Sequence, residues 1–234
     1  MKKLSVLLLP LAIAAAVAAC SKPAEPAAAA PAAAPALETQ AAAPVEAAVA
    51  EVKPVSGAYQ LDPDHSGVLA QWTHFGFSKP LAHFRISEAT LTYDAADVSK
   101  SSVEVTLPIA SIDTFVPALD EHLQKADFFD VAKFPNATFK STSVQAAGTN
   151  KLTVVGDLTI KDQTHPVTLD VTLNGAGKHA MTGQTAMGFS ATGQIKRSDF
   201  GVGAFAPNVS DEVALQITGE GALAEAPAES ASKE

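Results

Sequence analysis

Residues 151–175 read KLTVVGDLTIKDQTHPVTLDVTLNG, and their alternation decides the fold class. On an extended chain, successive side chains point to opposite faces. That rule gathers Leu152, Val154, Leu158 and Ile160 on one face, with Gly156 leaving a gap in the row. Val167, Leu169, Val171 and Leu173 form a second apolar row against Thr168, Asp170 and Thr172. A helix would instead repeat its apolar residues every three or four positions. The period of two returns in SVEVTLPIASI (102–112), through Val103, Val105, Leu107 and Ile109, and in DEVALQITGEG (211–221), through Val213, Leu215 and Ile217. Further strand signals occupy 58–61, 66–75, 84–93, 137–145 and 182–195, punctuated by Asp, Gly, Asn and Pro. Many strands with regular turns and little helical periodicity specify an all-β antiparallel sandwich or barrel. An eight-stranded barrel has an interior that side chains can fill or that can hold one small ligand. Ala70, Ala89 and Gly156, in otherwise apolar rows, are expected to leave room for the second outcome.

The one helical candidate is 117–130. Pro117 suits a first turn, Asp120 and Glu121 suit a helix N-terminus, and Leu119, Leu123 and Ala126 share a face. Phe128 and Phe129 follow as an apolar plug, and Phe134-Pro135 forces an extended exit into the next strand.

Outside this domain the chain changes character. MKKLSVLLLPLAIAAAVAAC (1–20) has a basic start and a short apolar stretch that ends in small residues, the pattern of a secretory leader. Val17-Ala18-Ala19-Cys20 resembles the lipobox of bacterial lipoproteins, in which the cysteine is diacylated and becomes the first mature residue; ordinary secretion is the other reading. The expected organisation is a lipoprotein signal peptide at 1–19, lipidated Cys20 with an Ala/Pro-rich linker to 56, a folded domain at 57–223 and a disordered tail at 224–234. The expected location is the bacterial cell envelope, lipid-anchored and facing the periplasm. Ser21 is compatible with outer-membrane sorting by analogy with Gram-negative lipoproteins. Cys20 is the only cysteine, so no intramolecular disulfide can form.

Charge and motif content narrow the function classes. A formal charge of −9 without a basic stripe argues against nucleic-acid binding. Of the six His residues, His65 and His74 would point to opposite faces if they shared one strand, and no HExxH, HxH or cysteine ligand set appears. No metal site is expected. No GxSxG or SxxK nucleophile motif exists, and the acidic residues around 113–130 read as a solvated helix with its caps. The sequence therefore points away from an enzyme.

Four stretches together carry a resemblance: YQLDPDHSGVLAQWTHFGF (59–77), ASIDTFVPALDEHLQKADFFDVAKFPNATFKSTSV (110–144), VVGDLTIKDQTHPVTLDV (154–171), and FSATGQIKRSDFGVG (189–203) with DEVALQITGEG. They resemble the YceI-like, polyisoprenoid-binding family over essentially all of 57–223. The resemblance implies a lipocalin-like antiparallel eight-stranded β-barrel with one short helix between strands and an elongated apolar cavity. It also implies a long amphiphilic ligand: a polyisoprenoid, an isoprenoid quinone or a fatty-acid derivative. No other cofactor is expected. From resemblance and facing, Val68, Ala70, Trp72, Phe84 and Leu91 are expected to line the cavity. Val105, Leu107, Phe128, Phe129, Phe139 and Phe189 join them as candidates, and His74 and Asp113 are the candidate polar contacts. The chain departs from the family pattern at Ala82-His83, Ser87 and Asp162-Gln163. The expected partners are an isoprenoid or acyl lipid and, through the anchor, a membrane; a homodimer is allowed by the sequence but not specified by it. The alternative function is an envelope interaction or stress-response module whose barrel is filled by its own side chains.

Overall fold

The structure, a computed structural model, describes residues 50–224. The chain divides into two units, Met1–Glu46 and Ala47–Glu234, and the described residues all belong to the second. The leader, Cys20, most of the linker and the tail after Ala224 lie outside them.

Ten strand segments build one antiparallel sheet: β1 (Gly57–Leu61), β2 (Gly67–Gln71), β3 (Leu81–Arg85), β4 (Glu88–Tyr93), β5 (Ser102–Pro108), β6 (Asn136–Gly148), β7 (Lys151–Ile160), β8 (Gln163–Lys178), β9 (Thr185–Lys196) and β10 (Glu212–Leu223). β10 pairs with β9 along one edge and with β2 and then β1 along successive stretches of the other. β1 and β2 are thus two halves of one strand, interrupted at 62–66. β4 and β3, paired with them in turn, are likewise two halves of the next. The β1–β10 ladder joins the two ends of the sheet. The result is a closed eight-stranded antiparallel barrel contained wholly within 57–223.

The strand connections separate into two ends. The β2–β3, β5–β6, β7–β8 and β9–β10 connections lie at one end, and the β4–β5, β6–β7 and β8–β9 connections at the other. The long β5–β6 connection carries α1 (Pro117–Leu123). The helix is shorter than the sequence predicts, and Ala126, assigned to its apolar face, is exposed. After Gln124 the backbone tightens: the Phe129 N–H donates to the Leu123 carbonyl, the Asp130 N–H to Lys125 and the Val131 N–H to Gln124. Asp130 ends the turn in the left-handed region, at φ 49°. A continued helix would place adjacent Phe128 and Phe129 about 100° apart around its axis, whereas the turn lets both rings face the barrel. The strand predicted over 66–75 stops at Gln71, so His65 and His74 do not share a strand at all.

Inside, the alternation is obeyed. Val154, Leu158 and Ile160 of β7 and Val167, Leu169 and Val171 of β8 are buried in one cluster with Phe139, Ala191 and Phe200. A second cluster at the far end joins Tyr59, Tyr93, Leu173 and Met187. Asn150 pins the incoming chain there: it accepts from the Val52 N–H at 2.7 Å and donates to the Ala50 carbonyl at 2.8 Å. One sequence expectation is corrected. Gly156 leaves no vacant space, because the Phe139 ring from the neighbouring strand occupies the position its Cβ would take. That Cβ would also sit 2.7 Å from the Lys140 carbonyl oxygen. Gly156→Ala should therefore destabilise the barrel by about 1–3 kcal/mol, through overpacking of a close-packed wall. A denaturant midpoint unchanged from wild type would refute this account of the Gly156–Phe139 pair.

Candidate functional site

The inward rows do not meet across the barrel. They enclose a cavity of about 600 Å³ that runs from the second cluster to the α1 end, within the range of small-molecule sites. At the α1 end it reaches the surface, because Val116 and Phe205 both line it and stand more than half exposed. That end is its mouth.

Val68, Ala70 and Trp72 line one wall, with Phe84, Leu91, Val105 and Leu107 beside them, and Phe139 and Phe189 deeper in. Phe128 and Phe129 face the cavity from beneath α1, Phe129 meeting Phe84 edge-on at 6.1 Å. His74 contributes from an exposed position at the mouth. Asp113 does not line the cavity. It is exposed, its carboxylate accepts from the Phe115 N–H at 2.8 Å, and its backbone exchanges two hydrogen bonds with His83 at 2.8 and 3.0 Å. Its part is to tie the β5–α1 segment to the free edge of β3, which turns the side chain away from the interior. Of the departures from the family pattern, Ala82 lines the cavity, and Ser87 is exposed with its hydroxyl bonded to the Thr106 carbonyl.

Besides Ser101 and Ser102 at the far end, three polar residues absent from the sequence-based set line the cavity: Thr114, His122 and Arg197. The Thr114 hydroxyl donates to Asp120 at 2.6 Å, and the same carboxylate accepts from its backbone N–H at 2.8 Å, which fixes the approach to α1. His122 stands edge-on to Phe128 at 4.9 Å, and Phe128 lies 6.3 Å from Phe205. Arg197, from the RSDFGV motif, spends its guanidinium on the backbone of the loop that follows. Nε donates to the Ser210 carbonyl at 2.9 Å, Nη1 to Val202 at 2.8 Å and Ala204 at 3.3 Å, and Nη2 to Val209 at 2.9 Å. Burial pushes its pKa down, partly countered by the charge of Asp211. Hydrogen bonds from Ser198 hold the Asp211 carboxyl below the usual aspartate range, its two oxygens accepting from the Ser198 N–H at 2.7 Å and hydroxyl at 2.6 Å. Nothing in the spacing of the motif separates this arginine from an ordinary surface cation; its role exists only once the 197–211 loop has folded around it.

The cavity's chemistry follows from its lining. Among the described residues, no buried side-chain nitrogen or oxygen lacks a hydrogen-bond partner. The depth of the barrel therefore presents no unmet polar demand to an occupant. Among the same residues, no group of three His, Cys, Asp or Glu side chains converges to hold a metal ion. The arrangement suits a long apolar body in the barrel with any polar part left at the mouth.

Residues 59–221 match the family model described as the YceI-like domain. The chain belongs to the YceI-like family. Protein YceI of Salmonella arizonae is 39% identical over 169 residues, which cover 71% of this chain and 87% of that protein. Among solved structures, BcnA of Burkholderia cenocepacia superposes with a TM-score of 0.62 at 30% identity, covering 68% of this chain and 98% of its own. A polyisoprenoid-binding domain from Saccharophagus degradans shares the fold at a TM-score of 0.52 and 14% identity, covering 72% of this chain and 99% of that domain.

Arg197→Lys tests the clamp on the YceI-like mouth. One ammonium cannot reach four carbonyls spread over 202–210. The variant should lose about 2–4 kcal/mol of stability and become open to proteolysis within 197–211. Wild-type stability with an uncut loop would show that the clamp is dispensable.

Proposed function

We propose that this protein is an envelope lipoprotein that binds one long-chain isoprenoid or acyl lipid, with the chain in the barrel and the head group at the mouth, and that it acts by holding or carrying that lipid rather than by catalysis. The observation that carries the reading is the apolar cavity whose polar lining includes His74, Thr114, His122 and Arg197 near the α1 end. The ligand class named for the Saccharophagus degradans domain fits such a cavity. Magnitudes agree. Each buried CH₂ contributes about 0.8 kcal/mol, so about twenty carbons give on the order of 16 kcal/mol before ordering costs. Association costs roughly 4–15 kcal/mol, so apolar contact alone can sustain binding, and polar groups are needed only to set direction.

Mass spectrometry of organic extracts from the purified protein should find a near-stoichiometric lipid with a long apolar chain. Ala70→Trp, which places a large ring in the cavity wall, should cut its occupancy at least about tenfold, the equivalent of two or so methylenes displaced. Repeated extraction of no lipid from wild type would end this reading.

The anchor is tested separately. Cys20→Ser removes the thiol that acylation requires and should move the protein from the membrane fraction to the soluble one. Unchanged membrane fractionation would exclude the tether.

A further inference from the structure

All of the strongly exposed phenylalanines among the described residues stand at the mouth. Phe77 is 92% exposed, Phe115 74%, Phe205 64% and Phe75 50%. They come from three different connections: Phe75 and Phe77 from β2–β3, Phe115 from β5–β6, and Phe205 from β9–β10. These connections are fastened to one another. The Phe75 N–H donates to the Asn208 carbonyl at 2.7 Å and His74 bridges Val209, while Asp113 bridges His83 on β3, the strand that the β2–β3 connection enters. The rings therefore form a collar on a common frame rather than a set of loose tips. Phe75, Phe115 and Phe205 also hold left-handed backbone, at φ 50°, 63° and 66°. L-residues adopt this region at a cost, and bulky ones rarely. Strain kept at three exposed rings on one end of the barrel calls for a use of those rings.

We propose that the collar docks this end of the barrel onto a lipid surface of uncharged or zwitterionic character, its rings entering the interfacial layer around the cavity opening. The proposal rests on the lipid-binding reading above. A ligand leaving a bilayer for the cavity would otherwise expose its chain to water, and the apolar path from exposed Phe205 and Val116 into the barrel removes that exposure. Charge selects the surface. Exposed charges in the same connections nearly balance, with Asp113, Glu121, Asp127 and Asp199 against Lys79, Lys125 and Lys133. This composition suits a zwitterionic face and gives none of the attraction that basic clusters have for anionic lipid. The chain outside the structure does not oppose the geometry. The described residues begin at the far end, where Asn150 holds Ala50. The thirty residues 20–49 could extend about 100 Å, against about 55 Å for the sixteen residues of β8.

The test uses a chain beginning at Ser21, which contains the entire closed barrel and no acylation site, and flotation with phosphatidylcholine–phosphatidylethanolamine vesicles. Wild type should float. Phe77→Ser with Phe115→Asn should bind at least tenfold more weakly, with a Tm equal to or above wild type, because Asn tolerates the left-handed conformation that Phe115 holds. A core role for the rings would lower the Tm instead. Equal flotation of the variant, or none for wild type, overturns the proposal. So does binding that appears only with added phosphatidylglycerol and vanishes in high salt, which would assign it to lysines. A concentration-dependent dimer abolished by the same substitutions, without flotation, would make the collar an interface between two copies. Lipid content is measured in parallel: a lipid-loaded barrel that ignores vesicles defeats docking alone, and a vesicle-binding barrel that never holds lipid defeats the binding reading alone.

Discussion

The structure depends on a seam three residue pairs long. Tyr59, Gln60 and Leu61 lie opposite Leu223, Ala222 and Gly221, and this ladder alone turns a sheet with two edges into a barrel. The seam is tight. A Cβ on residue 221 would lie 2.9 Å from the Gln60 carbonyl oxygen, so the backbones meet there only because Gly221 has none. Closure removes the exposed edges that invite pairing with other chains, and it commits every inward side chain to one enclosed space. Just past the seam the wall opens, as β2 and β3 run on from β10 without reaching β5. The gap between β3 and β5 is spanned at the Asp113–His83 bridge. The seam thus fixes both the cavity and the end at which it opens.

What the sequence makes legible follows from the range over which each feature is determined. Strand rows are local, since the period of two is written in adjacent residues, so β5, β7, β8 and β10 can be read directly, together with which of their residues face inward. Gly156 misleads for the opposite reason: its space is filled from another strand, by Phe139, at a register no single strand reveals. The end of α1 is set by the need to turn two adjacent rings toward one wall, a tertiary demand that overrides the apolar spacing running to Ala126. Asp113, expected as a polar contact, is a surface brace, because a residue in a connection has no period to orient it. Arg197 is the reverse case, a loop-clamping, cavity-lining side chain whose hydrogen-bond partners are all backbone carbonyls and so leave no trace in the pattern of residue types.

The two ends of the barrel are built on different physics. At the far end, Tyr59 and Tyr93 join Leu173 and Met187 in a compact cluster, and burial pushes both tyrosine pKa values up. The Tyr59 hydroxyl still finds the Val55 carbonyl at 2.8 Å, so the cluster holds no orphan polar atom. At the mouth, loops are held by polar means: Arg197 on four carbonyls, Asp211 on Ser198, and Asp120 on Thr114. Hydrophobic packing there would have consumed the apolar surface that now borders the opening. Polar bracing from behind leaves the rings free to face outward.

The same division is visible in where the perturbed titratable groups lie among the described residues, which include all six histidines. Catalytic carboxylates or imidazoles are perturbed by one another in a shared, desolvated site. Here the titratable groups with clear shifts outside the far-end tyrosines sit in surface turns, on the outer face of the sheet or in the loop clamp. His65 is raised by Asp62 in an exposed turn, Lys140 by Glu104 on an outer face, and Arg197 is lowered by burial among carbonyls. None of the three confronts another titratable group across the cavity. On the lipid-binding reading, a barrel whose interior makes no unmet polar demand would select occupants by length and girth, with His74, Thr114, His122 and Arg197 near its opening to set a preference among head groups.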